Sequence, residues 1–277
     1  MQDMGSSIRE KRCGGIQTIV KPRRARSVLA AALILGTLPL VLSSQEHKSN
    51  GAHHWTYGGQ QGPEHWAELD PQFAACKEGK WESPIDIKEA TNSELPPLIL
   101  NYSRTPLNIV DNGHTVMVTY APGSTLTVGN NKYELKQFHF HRPSEEFIYG
   151  KQFDMVVHLV HQDSEGRLAV VAVLLKQGRE NHLITQLWDK VPAEKEHPVT
   201  LPELLINAKD ILPSHLGYYT FPGSLTTPPC TEGVTWYVVE TPTEISAEQL
   251  GWFTKLYPLN ARPIQPVNGR TILHTRE

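Results

Sequence analysis

The chain has 277 residues, 39% of them hydrophobic and 20% charged, with 26 basic against 29 acidic side chains. That length buries a sizeable core in one large domain or two small ones. A formal charge of -3 argues against nucleic acid as a partner, because such binders carry a basic face that shows in the count. The average conceals a division: residues 1–44 hold seven basic and two acidic side chains, leaving 19 basic and 27 acidic for the remainder, a net of -8. All 13 histidines lie beyond position 46.

The amino-terminal segment reads as an export leader over residues 1–44. A 15-residue apolar run, Val28 to Leu42, follows Lys21, Arg23, Arg24 and Arg26. It is shorter than the ~20 residues a membrane-spanning helix needs, and Pro39 interrupts it. The basic flank, apolar centre and small Ser43 and Ser44 fit a secretory signal, although no clean A-x-A site follows and an uncleaved anchor stays open. No stable membrane span is expected after processing, and the localisation expected is periplasmic or secreted. Residues 45–53 are polar and read as a linker. Export places the body in an oxidising compartment, where cysteines pair. Cys13 falls in the leader, so Cys76 and Cys230 have one connectivity; the alternative is two buried thiols. A bridge would close a loop of about 155 residues and contribute roughly 4–5 kcal/mol on the chain-entropy model.

From His54 to the end there is no second linker and no repeat. Strand signals, short and β-branched, cover 114–120, 124–128, 133–141, 153–161, 168–175 and 234–240. Turn signals at 111–113, 129–131, 150 and 163–166 separate them. Only 180–191 and 243–257 have a helical look. The body, 54–277, therefore reads as one mainly β (α+β) domain with short peripheral helices.

The sharpest feature is Gln137-Phe138-His139-Phe140-His141. Side chains alternate along a strand, so Gln137, His139 and His141 share one face, and Phe138 and Phe140 the other. Two imidazoles about 7 Å apart on one face can grip a single cation. In 153–161, His158 and His161 point to opposite faces; His158, beside Val156 and Val160, is the candidate third ligand. Three neutral histidines leave zinc its full charge and an open position, the arrangement that lowers the pKa of bound water to about 7. A lone His-x-His more commonly lies on a solvated strand face, so the surrounding residues must decide.

Those residues resemble an α-class carbonic anhydrase of the bacterial, exported type. The resemblance spans about 54–277 and rests on His54-Trp55, Tyr57-Gly58, Ser83-Pro84-Ile85-Asp86-Ile87, Asn112-Gly113-His114, the 137–141 run and Pro143-Ser144-Glu145. It continues through His158-Leu159-Val160-His161, the stretch from Gly223 to Cys230, Val234-Thr235-Trp236 and Arg262-Pro263. It implies a large, mostly antiparallel twisted sheet, with zinc held by His139, His141 and His158 at the bottom of a cleft. The implied reaction is reversible hydration of CO2 to bicarbonate. Thr226 would accept from the zinc-bound hydroxide and donate to buried Glu145. Thr227 would line the site, Val160, Val170, Leu225 and Trp236 would form the apolar CO2 pocket, and His114 would shuttle the proton. Relatives of this type often pair, which makes a homodimer an option.

Five positions depart from the family's pattern: Thr56, Glu82, Arg142, Glu146 and Val156. The family has a glutamate two residues before the third ligand, accepting from that imidazole's free nitrogen. Here Val156 stands there, and a carboxylate appears instead at Glu146. The expectation is that Glu146, like Gln137, supports a ligand imidazole from behind. A zinc peptidase is disfavoured because no H-E-x-x-H is present. The remaining alternative is a catalytically weak carbonic-anhydrase-like binding module, which relatives with a lost ligand histidine become.

Overall fold

Where apolar residues run without interruption, as in 168–175, both faces of a strand must be covered, and such strands lie inside a sheet. The computed structural model describes residues 54–275; the expected leader (1–44, with Cys13) and linker (45–53) lie outside the described residues. In chain order the strands are β1 (Asp86–Ile87), β2 (Thr91–Ser93), β3 (Ile99–Asn101), β4 (Thr105–Asp111), β5 (Val116–Thr119), β6 (Thr125–Val128), β7 (Asn131–His141) and β8 (Phe147–Ile148). Then come β9 (Lys151–Gln152), β10 (Met155–Gln162), β11 (Leu168–Gln177), β12 (Val199–Ile206), β13 (Tyr218–Ser224), β14 (Glu232–Ile245) and β15 (Leu273–Thr275). The helices are α1 (Trp66–Leu69), α2 (Ala75–Glu78), α3 (His182–Trp188) and α4 (Ala247–Leu256).

Twelve strands form one sheet in the order β12-β4-β5-β7-β10-β11-β14-β13-β15-β2, with β6 beside β7 and β3 beside β6. Its pairings are antiparallel except β11 with β14 and β15 with β2. The mainly β, mostly antiparallel reading with short helices holds. Alternation divides the sheet between two cores. Phe138, Phe140, Val157, Leu159, Val171 and Val173 pack on one side with Leu183, Ile184 and Leu187 of α3 and Phe253 of α4. Val156, Val170, Ala172, Trp236 and Val238 pack on the other with Ile85 and Ile87.

Element ends differ from the reading for local reasons. The 114–120 strand starts at Val116, because the Asn112 side chain accepts the backbone N–H of His114 (3.0 Å) and of Thr115 (2.8 Å) and holds both in a turn. The helix expected at 180–191 is confined to 182–188, capped by the Asn181 side chain accepting from Ile184 N–H. That at 243–257 begins at Ala247, behind a Ser246–Gln249 capping box, since β14 runs on to Ile245. The strands β4, β12 and β13 contain Pro106, Pro202 and Pro222, which weaken a strand signal in the sequence.

Candidate metal centre

Strand alternation delivers the site. His139 and His141 leave β7 on the face opposite Phe138 and Phe140, and β10 lies antiparallel with His158 directly opposite His139. Ring centroids are 4.9 Å apart for His139 and His141, 5.5 Å for His139 and His158, and 4.7 Å for His141 and His158. One ligating nitrogen from each lies within 4.8 Å of the others. His161 turns to the other face, where it is buried with Nε2 2.7 Å from the Tyr102 hydroxyl.

Each imidazole is held through its second nitrogen. Gln137 Oε1 accepts from His139 Nδ1 at 2.8 Å, and the Asn260 carbonyl accepts from His141 Nδ1 at 2.7 Å. Behind His158, Nε2 is 3.0 Å from Glu146 Oε1 and 3.2 Å from Oε2; only the second contact has hydrogen-bond direction, and Oε1 is left without a partner. The nitrogens that remain, Nε2 of His139 and His141 and Nδ1 of His158, converge. His141 Nε2 is buried without a hydrogen-bond partner, and so is Glu145 Oε2, 3.5 Å away. Buried polar atoms seldom stay unpartnered unless a ligand or ion completes them. Three histidine nitrogens are the protein donor set that a catalytic zinc site requires.

The electrostatics of the two β7 imidazoles agree. Burial, reinforced by His158, pushes His139 down to about 3. Burial, with His158 and His139, also holds His141 well below the usual imidazole range. Both rings are therefore neutral, the ligating form. Burial works against protonation of His158 as well, but Glu146 and Glu145 together raise it. Glu145 is pushed up to about 7, mainly by burial; His158 pulls it down and Glu146 pushes it up. The Arg262 backbone N–H donates to Glu145 Oε1 at 2.7 Å, and the Thr226 hydroxyl is near enough to favour the ionised carboxylate.

The other expected residues fall around this centre. Thr226 is buried in a loop fastened at both ends. At one end, Ser83 N–H donates to Ser224 Oγ at 2.9 Å. At the other, Cys76 and Cys230 form a disulfide. Gly223 must be glycine, since a Cβ there would lie 2.3 Å from Ser83 Oγ and 2.8 Å from the Trp236 ring. Thr227 is half-buried at the turn, its carbonyl accepting from Cys230 N–H; no hydrogen bond brings it to the imidazoles. Val160, Val170 and Trp236 are neighbours across β10, β11 and β14, with Leu225 packed on the same cluster. The Trp236 ring meets His158 edge-on at 4.9 Å. His114 is half-buried, stacked on Trp55 at 3.7 Å and 5°, beside a pocket of about 310 Å³ that His54 also lines. Burial is the main reason its imidazole is less basic than a free one, and His54 adds to it.

Sequence reasoning missed Asn260. Besides the carbonyl that orients His141, its side chain donates to the His114 and Phe140 carbonyls and accepts from Arg142 N–H. No motif marks an asparagine whose partners lie more than a hundred residues away. The departures find uses too: Glu82 makes a buried ion pair with Arg262, and Arg142 donates to the Pro258 carbonyl.

The eukaryotic-type carbonic anhydrase family model matches residues 61–276. A carbonic anhydrase of Pectobacterium carotovorum is 42% identical over 224 residues, 80% of this chain and 91% of the relative. One from Nostoc sp. is 42% identical over 225 residues, 79% and 85% of the two chains. The solved structure of the alpha-carbonic anhydrase from Thermovibrio ammonificans, in complex with the inhibitor sulfanilamide, superposes with a TM-score of 0.78 at 40% identity. That match covers 80% of this chain and 100% of that one. With strands, imidazoles and relatives in agreement over most of its length, this chain belongs to the eukaryotic-type carbonic anhydrase family.

Proposed function

We propose that the chain hydrates CO2 reversibly to bicarbonate and a proton, with zinc held by His139, His141 and His158. The observation that carries this reading is the convergence of three imidazole nitrogens, each ring already engaged through its other nitrogen. When bound there, zinc supplies a Lewis acid that makes water nucleophilic near neutral pH.

The chain's own residues do the rest. Thr226, backed by Glu145, orients the attacking oxygen by accepting its proton and donating its own to the carboxylate; an oxygen with no proton to give is disfavoured. Val160, Val170, Leu225 and Trp236 form an apolar wall, the one indole N–H among them being spent on the Ser224 carbonyl, and such a wall suits CO2, which has no net dipole. Thr227 completes the site's rim. His114 takes the released proton to buffer, a task for an imidazole that titrates near neutrality. Gln137 and Glu146 hold His139 and His158 in the ligating tautomer. A basic and then apolar leader, together with the Cys76–Cys230 bridge, supports export to the periplasm or beyond.

Stopped-flow CO2 hydration on protein of known zinc content, before and after chelation, tests the proposal. Activity should vanish on chelation and return with zinc. Full zinc occupancy without hydration would point instead to a binding module.

A further inference from the structure

The loop between α3 and β12 folds over the turn that carries His114. Glu196 in that loop has φ +63°, in the left-handed region a glutamate seldom adopts. The conformation aims its N–H at the Asp111 carbonyl, 2.6 Å away. Its carboxylate then hangs over Gly113, where a Cβ would lie 3.6 Å from Glu196 Oε1. The next residue is His114. Its N–H is held by Asn112, its carbonyl by the Asn260 side chain, and its ring by Trp55. A carboxylate carried on a fastened backbone thus stands beside a fixed imidazole.

The charged groups around that imidazole come from three segments. His54, with its ring centroid 6.0 Å away, and Lys195, whose Nζ lies over the Tyr257 ring, oppose a proton on His114. Glu196 and Asp111 favour one. Asp111 is buried and accepts from Gly113 N–H and the Tyr257 hydroxyl, whereas Glu196 faces water.

We infer that Glu196 is a positioning residue for proton exit, its carboxylate, placed over Gly113 by the fastened backbone, offsetting His54 and Lys195 where His114 must carry a proton in transit. The inference rests on the reading of His114 as the shuttle. It gives a use to a glutamate in the left-handed region at this position, over the turn that bears His114.

The test is an NMR titration of the His114 ring in the zinc-loaded full chain, the signal being assigned by its loss in His114→Ala. In Glu196→Gln the midpoint should fall by roughly 0.3–0.5 of a pH unit at low salt, and the difference should shrink at high salt. Glu196→Asp should restore most of it, and Lys195→Met should move the midpoint the other way. Glu196→Gly, which relieves the left-handed strain, should show the same fall in a chain at least as stable. The pH profile of kcat in dilute buffer should follow the midpoint, with kcat/KM unmoved. An unchanged midpoint in Glu196→Gln and Glu196→Gly overturns the inference, even if His114→Ala is slow. A lowered midpoint with His114→Ala as fast as wild type upholds the coupling and removes the shuttle.

Discussion

His158 receives its carboxylate from an unusual direction. Val156, two residues before it on the same face, is apolar and packs in the core beside the site, so no acid on β10 can brace the ring. Glu146, from the loop after β7, reaches Nε2 instead. Replacing Glu146 by Gln should weaken zinc about 10–100-fold, as loss of such a partner does, measured by competition with a chromophoric chelator. An unchanged affinity would mean that His158 is held by packing alone. His161 makes a separate case at the same scale. Burial pushes it from the ordinary 6.5 down to about 4, so the unfolded chain binds a proton that the folded chain refuses. Its contribution is complete above pH 6.5 and is lost as pH falls toward 4, amounting to about 3 kcal/mol. In His161→Gln, urea denaturation at several pH values should show a flatter acid limb. The opposite faces of His158 and His161 were legible from their spacing of three. So was Glu146 as the candidate carboxylate, whereas Asn260 was not, because its role arises from a loop that only the finished fold brings to β7.

At the scale of elements, the antiparallel register of β7 and β10 turns two local patterns into one site, and both patterns were legible as alternation. The strands β12 and β13 were not, since prolines mask them and their partners are distant. The loop carrying Thr226 depends on a long-range link: Cys230, four residues on, is bonded to Cys76 across a separation of 154. Closing so long a loop constrains the unfolded chain by roughly 5 kcal/mol in the entropy model. Replacing both cysteines by serine should therefore lower stability by about 2–5 kcal/mol. It should also lower kcat more than zinc affinity, because Thr226 loses its anchor while the imidazoles keep theirs. Equal loss of both would show that the bridge supports the whole site rather than the loop.

Across the described residues, the twelve-stranded sheet separates the two larger cores, and the smaller of these doubles as the wall of the site. Packing and chemistry share the same strands: Val170 and Trp236 are core residues on the face from which the imidazoles project. Composition pointed to this scale only indirectly. The acidic body showed once the basic residues 1–44 were set aside, but charge says nothing of where histidines gather. What carried the reading was the order of motifs along the chain, from His54 to Arg262. The central claim is that three imidazoles hold one zinc and that this zinc makes the chain a CO2 hydratase. Returning zinc stepwise to the metal-free chain, with the initial rate of CO2 hydration followed by stopped flow, tests it most directly. The account requires activity to rise linearly and stop at one zinc per chain, and to stay absent in His158→Ala over the same range. Activity that ignores zinc, or that rises unchanged in the His158 variant, would contradict it.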